Sequence, residues 1–159
     1  MSYQAVILTV SDSCAAGTRT DTSGPAIRAM LENAGFAVQA MQTVPDEEGQ
    51  ISAAIVHACD ILQADLVVTT GGTGLSARDV TPEATLAVLD REIRAIPVAM
   101  WVEGLKSTPR AMLSRAVAGI RGHTLVLNVP GSEKAARENL GAVVGTLDHA
   151  LRMLAGGGH

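Results

Sequence analysis

Three glycines in four residues, Gly71-Gly72-Thr73-Gly74, follow a short apolar run and precede the string Arg78-Asp79-Val80-Thr81-Pro82-Glu83. Glycine has no Cβ, so backbone N–H groups in such a loop can approach a ligand closely. Consecutive amides there form a concavity that binds anions. A tight turn out of a strand is the plainer reading, and the loop alone does not choose between the two. A P-loop is excluded, because no lysine follows the glycines. Gly72-Thr73-Gly74-Leu75-Ser76-Ala77 meets the G-x-G-x-x-A spacing of dinucleotide folds, but that motif belongs after a first strand and opens a helix directly. Here the next helix signal waits until Thr81-Pro82, so the match is accidental.

Asp46, in Val44-Pro45-Asp46-Glu47, and Asp79 form the best acidic pair. Two carboxylates facing a polyphosphate repel it unless a cation lies between them, and Mg²⁺ is commonly held by one or two carboxylates plus substrate phosphates. Each has a plainer role as well: Asp46 as a helix cap, Asp79 as a turn residue or the partner of Arg78. Pro130-Gly131-Ser132 precedes a long helical pattern and offers free N–H groups to an anion, or simply caps that helix. Ser11-Asp12-Ser13 follows the first apolar run. Arg110, Arg115 and Arg121 extend a basic stretch from Lys106; such a stretch is ordinarily a solvated face, though a guanidinium fork also matches phosphate oxygens. No histidine pair has metal-ligand spacing, and no G-x-S-x-G elbow is present.

Those residues need a frame. The runs Val6–Val10, Leu66–Thr69 and Leu125–Val129 are continuously apolar and short, as strands buried on both faces are; 38–44 is a weaker fourth. Helical stripes lie between them. One runs through Ile27, Met30, Leu31 and Ala34, opened by Ser23-Gly24-Pro25 and stopped by Gly35. A second runs from Ile51 to Leu62, with Asp46 placed to cap it. Thr81-Pro82-Glu83 opens a third with Thr81 as cap, Pro97 opens a fourth, and Leu140 to Leu154 mark the longest. A hairpin from 116–120 through 121–123 would add one antiparallel strand. The order predicts a three-layer α/β/α sandwich with a mostly parallel sheet, one domain over 1–155, and a flexible tail at 156–159. Ligands of such sheets bind at the carboxyl ends of strands, which is where all the segments above fall.

Composition bounds the function. The chain has 159 residues, 47% hydrophobic and 18% charged, a globular balance. Tyr3, Phe36 and Trp101 are its only aromatic residues and its net charge is −4, so neither base-stacking platforms nor a basic footprint points to nucleic acid. No apolar run reaches the ~18 residues of a membrane span. The N-terminus leads straight into a strand with no signal-peptide pattern, so a cytoplasmic protein is expected. Cys14 and Cys59 form no C-x-x-C pair, and Cys59 sits at helical spacing from Ile51 and Ile55 as core filler.

Six segments in order resemble the Mog/MoaB family of molybdenum cofactor biosynthesis proteins, most of all its Mog-type members, such as the gephyrin G domain and its plant counterpart. They are Leu8-Thr9-Val10-Ser11-Asp12-Ser13, Asp21-Thr22-Ser23-Gly24-Pro25, Val44-Pro45-Asp46-Glu47, Thr69 to Gly74 with Arg78 to Thr85, Ala111 to Arg115 with Gly119-Ile120-Arg121-Gly122, and Pro130-Gly131-Ser132. The resemblance implies a molybdopterin adenylyltransferase, which moves AMP from ATP to the terminal phosphate of molybdopterin with Mg²⁺ and releases pyrophosphate. It implies a homotrimer and a molybdate-inserting enzyme as the next partner, here without fusion to it. The family's two functional aspartates fall on Asp46 and Asp79, expected to position metal and substrate. Ser11, Asp12, Gly71, Gly72, Thr73, Gly74, Ser114, Arg115, Pro130, Gly131 and Ser132 are the expected substrate-binding residues. Two other readings stay open: a MoaB-type protein that binds the pterin without adenylylating it, and a nucleotide hydrolase of the competence-damage type.

Overall fold

The computed structural model describes residues 2–157. Three strands form where the apolar runs lie: β1 (Gln4–Val10), β3 (Leu66–Thr70) and β6 (Thr124–Val129). β2 (Ala37–Val44) pairs only with β1 and lies at the sheet edge, which is why its residues are largely exposed and its apolar signal was weak. β2, β1, β3 and β6 are parallel in that order. β5 (Ala118–Arg121) turns back from β6 through Gly122 and His123, as the hairpin expectation has it. Beyond β5 lies β4 (Arg91–Glu92), antiparallel to it. Two exposed charged residues carry no strand pattern, and β4 was not foreseen.

Alternation along the strands divides the core into two layers. Ala5, Ile7, Leu66, Val68, Leu125, Leu127 and Val129 face α2 (Ser23–Asn33), α5 (Ala95–Ser107) and α6 (Glu133–Leu154). Val6, Leu8, Val10, Val67 and Val126 face α3 (Glu48–Val56) and α4 (Thr81–Leu86). The result is the expected three-layer sandwich. Cys59 fills the second layer, in a π turn that continues α3 over His57–Ile61, and burial pushes its thiol up to about 11.

Several helix starts differ from expectation. Asp46 does not cap α3: the cap position is Glu47, which makes no side-chain cap bond, because Asp46 is engaged elsewhere. Thr81 is the first residue of α4 and not its cap; Val80 holds that position, and Thr81 Oγ1 is buried without a partner among the described residues. α5 opens at Ala95, two residues before Pro97, which is tolerated because first-turn N–H groups have no intrahelical partner. α1 (Asp12–Ala15) is a single turn, capped by Ser11 Oγ accepting from the Cys14 N–H at 3.2 Å. At the far end Gly156 N–H bonds Met153 O at 3.0 Å and Gly157 N–H bonds Arg152 O at 2.9 Å, closing α6 in a Schellman turn. Those two glycines of the expected tail are thus hydrogen-bonded to α6, and residues 158 and 159 lie outside the described residues.

Candidate active site

From β1 the chain goes to β2 on one side and, through α3, to β3 on the other. Such a reversal of direction leaves a crevice outside the carboxyl ends of the central strands. The segments after β1, β2, β3 and β6 converge there, in two adjoining lobes. One lobe, of about 360 Å³, is polar and is lined by Ser11, Asp21, Ser23, Asp46 and Ser132, among others. The second, of about 380 Å³, is more apolar and is walled by Thr73, Gly74, Gly104, Ser114, Pro130 and Asn139, among others. Gly72, Asp79 and Gly131 line both.

The turn out of β3 needs its glycines. Gly71 has φ +101° and a Cβ there would strike the Val10 carbonyl; Gly72 has φ +68° and its Cβ would strike Thr81 Oγ1. β1, β3 and α4 therefore close on a bare backbone. Thr70 Oγ1 donates to the Pro130 carbonyl at 2.8 Å and lies 3.2 Å from Ser23 Oγ, which joins the ends of β3 and β6 to the start of α2. Thr9 Oγ1 donates to Asp21 Oδ2 at 2.7 Å, and Asp21 Oδ1 accepts from Gly24 N–H at 3.0 Å.

The aspartates are held by different means. Asp46 Oδ2 accepts from the Asp12 N–H at 2.9 Å, while the Asp46 N–H donates to Asp12 Oδ1 at 3.0 Å. Asp79 Oδ2 accepts from Ser76 N–H at 3.0 Å and Ser76 Oγ at 2.9 Å, a turn role. Arg78 does not pair with Asp79. Its Nε and Nη2 fork onto both oxygens of Asp12, each at 3.0 Å, and Nη2 also reaches Glu47 Oε1 at 3.0 Å. That fork holds the Asp12 carboxyl below its ordinary range. Burial pushes the Asp46 carboxyl above its ordinary range, opposed by the Asp12 N–H and reinforced by the charges of Asp12 and Asp79. Neither Asp46 nor Asp79 has a hydrogen bond to its Oδ1 among the described residues. No group of three or more His, Cys, Asp or Glu side chains able to hold a metal occurs among those residues. Two carboxylates on one polar lobe fit the other mode, in which Mg²⁺ is shared with substrate phosphates.

Of the residues expected to bind substrate, Ser11, Gly71, Gly72, Thr73, Gly74, Ser114, Pro130, Gly131 and Ser132 line one lobe or both. Asp12 and Arg115 line neither. Asp12 is the pin for Asp46. Arg115 lies under the glycine loop: Nε donates to Gly74 O at 2.8 Å, Nη2 to Asp79 O at 2.6 Å and Nη1 to Glu83 Oε1 at 2.6 Å. Its backbone N–H bonds Thr73 O at 2.8 Å. Its donors brace the loop. Sequence reasoning missed Asp21 and Asn139. Asp21 stands three residues before Gly24, at cap spacing for α2. Asn139 is a polar residue on the buried stripe of α6, 5% exposed, and that mismatch was a readable signal.

A family model described as a probable molybdopterin binding domain matches residues 6–149. The molybdopterin adenylyltransferase of Helicobacter pylori strain J99 is 38% identical over 154 residues, 94% of this chain and 86% of that protein. The chain spans less than half the length of several curated relatives that it matches, among them the gephyrin of Dictyostelium discoideum, 41% identical over 93% of this chain but 22% of its own length. The crystal structure of the molybdopterin biosynthesis enzyme MoaB from Thermus thermophilus superposes with a TM-score of 0.92 at 49% identity, covering 97% of each chain.

Proposed function

The chain belongs to the probable molybdopterin binding domain family, and on that premise we propose that it is a molybdopterin adenylyltransferase of molybdenum cofactor biosynthesis. A terminal phosphate oxygen of molybdopterin attacks the α-phosphorus of ATP, the bond from that phosphorus to the bridging oxygen of the β-phosphate breaks, and pyrophosphate leaves with the electron pair. The observation that carries this reading is the pair of lobes with Asp79, Gly72 and Gly131 on their common wall. A transfer between two bound substrates needs two sites and one junction. The chemistry asks for alignment and charge neutralisation more than covalent work.

The polar lobe takes the phosphate groups: the bare backbone of Gly71 and Gly72 and the start of α6 at Ser132 face it. The apolar lobe takes a planar heterocycle, with Ser114 and Asn139 offering hydrogen bonds. Asp46 and Asp79 would hold Mg²⁺, which when bound neutralises charge on the phosphates and the departing pyrophosphate. The raised carboxyl of Asp46, crowded by two other carboxylates, is the environment in which a cation is most favoured.

The same reading includes a homotrimer and delivery of the adenylylated product to a molybdate-inserting enzyme. Val98, Val102, Leu105, Met112 and Leu113 supply half of the ten exposed large hydrophobics among the described residues and cluster along α5 and the turn at Pro109–Leu113, so that face is the one a second copy would cover.

The test is to mix the protein with molybdopterin, ATP and Mg²⁺ and assay pyrophosphate and adenylylated pterin; both should appear. Pterin binding without either product would favour the second reading, a binding protein, which the MoaB name of the 49% identical Thermus structure keeps in view.

A further inference from the structure

We propose that Arg78 is a positioning residue that ties the loop carrying Asp79 to the loop carrying Asp46, and so sets how the two carboxylates face a shared cation. This rests on the reading above, in which both aspartates serve a metal-bound polyphosphate. Arg78 lines neither lobe, so its part is indirect.

Three loops meet at its guanidinium. Arg78 is the chain neighbour of Asp79, after β3. Its fork on Asp12 reaches the turn after β1, and its bond to Glu47 reaches the turn after β2. Asp12 then passes the constraint on, through the reciprocal pair of bonds between its own N–H and carboxylate and those of Asp46. No helix or strand spans 71–80. Arg115 anchors that loop from below, by Gly74 O and Asp79 O, but it makes no bond to the segment around Asp46. The bonds that link Asp79's loop to Asp12 and Glu47 run through Arg78. Its position on the surface matters to this role: an exposed ion pair contributes little to folding stability, whereas a small misplacement of reacting groups has a large effect on chemistry.

The alternative for Arg78 is direct contact with a phosphate. The two roles differ in their dependence on Asp12. A strut fails whichever end is cut; a phosphate ligand does not need Asp12. Asp12→Asn keeps the backbone N–H that Asp46 uses and an oxygen for the Asp46 N–H, but it removes the charge that holds the fork.

The experiment measures Mn²⁺ binding in the presence of ATP by electron paramagnetic resonance, for the wild-type chain, Arg78→Ala, Asp12→Asn and the double variant, with molybdopterin affinity and melting temperature alongside. Arg78→Ala should weaken Mn²⁺ about tenfold, in the range for residues that orient metal ligands. Asp12→Asn should do nearly the same, and the double variant should be little worse than either. Arg78→Lys should recover only part, since an ammonium keeps the charge without the fork. Molybdopterin affinity should stay within twofold. Mn²⁺ affinity in Arg78→Ala within twofold of wild type overturns the proposal, as do independent, additive effects of the two single variants or a wild-type chain that binds no Mn²⁺ with ATP. A wild-type chain that binds Mn²⁺ with ATP, loses it on Arg78→Ala and forms no adenylylated product supports the strut and removes only the transfer reading.

Discussion

Burial raises the Asp46 carboxyl, the Asp12 N–H opposes that rise, and the charges of Asp12 and Asp79 add to it. A folded-state value above the unfolded one means that the fold favours the protonated form. The associated stability is complete below the ordinary carboxyl range and is lost as pH rises through the raised value. At pH 7 the ionised carboxylate is therefore a burden on the fold. Asp46→Asn should melt higher than wild type at pH 7, the difference should vanish near pH 3, and adenylyl transfer should collapse; calorimetry at both pH values with a product assay checks this, and a lower melting temperature at pH 7 would count against it. Asp79→Asn differs, because an amide oxygen can still accept from Ser76 N–H and Oγ. Turnover should fall by about 100-fold or more while the melting temperature stays within about 2 °C. Turnover at the wild-type rate would remove Asp79 from the machinery. Both aspartates were legible in the sequence because each follows a strand-like run. Asp12 and Arg115 were legible as types but not as roles: their partners stand more than thirty residues away, and no spacing rule reaches that far.

Buried polar groups, as well as the apolar core, join elements beneath the site. Asn128, on β6 and 0% exposed, is the main such junction. Its Oδ1 accepts from the Val117 N–H at 3.1 Å, and its Nδ2 donates to Thr69 Oγ1 on β3 at 2.8 Å and Thr85 Oγ1 on α4 at 3.1 Å. Removing it takes that partner from the half-buried Val117 N–H and from the buried Thr69 Oγ1, while Thr85 Oγ1 keeps its bond to the Thr81 carbonyl. Asn128→Ala should destabilise the chain by about 2–4 kcal/mol, read from urea unfolding, and a loss under about 0.5 kcal/mol would show that water or repacking replaces the network. The sequence shows Asn128 inside an apolar strand run, which marks it as satisfied by something. Which groups satisfy it depends on register between β6 and β3, where Asn128 stands opposite Thr69, and on where α4 docks. Helix starts show the same limit: Gly35 ended α2 as expected, whereas Asp46 looked like a cap for α3 because spacing alone cannot reveal that its carboxylate is already taken by Asp12.

As a whole the molecule is a sheet with a reversal of strand order at its centre and an exposed apolar face on α5. Val102 is 57% exposed, so changing it should leave the protomer fold alone. In an assembly through that face, Val102→Glu would bury an unpaired charge, which is strongly unfavourable. Sedimentation should show wild-type chains at three times the protomer mass and Val102→Glu at the protomer mass. A trimeric Val102→Glu would move the interface elsewhere, and a monomeric wild type would end the trimer proposal. The acidic net charge was no guide to this face or to the site. Charge is a sum over the surface, while the lobes are set by which loops the sheet brings together.

By itself the sequence determined the layers, because strands buried on both faces must be apolar at most positions and helices between them must carry one apolar stripe. It also pointed to the segments after β1, β2, β3 and β6, which line the two lobes, because those are the places where glycine, hydroxyl and carboxylate residues interrupt the apolar runs. Tertiary structure alone decided that Asp12 pins Asp46, that Arg78 leaves its neighbour Asp79 for Asp12 and Glu47, and that Arg115 braces the glycine loop from below. The physical reason is range. Burial patterns and glycine turns act over a few residues and leave a local mark, whereas a hydrogen bond between distant loops depends on strand order and register, which no single segment encodes.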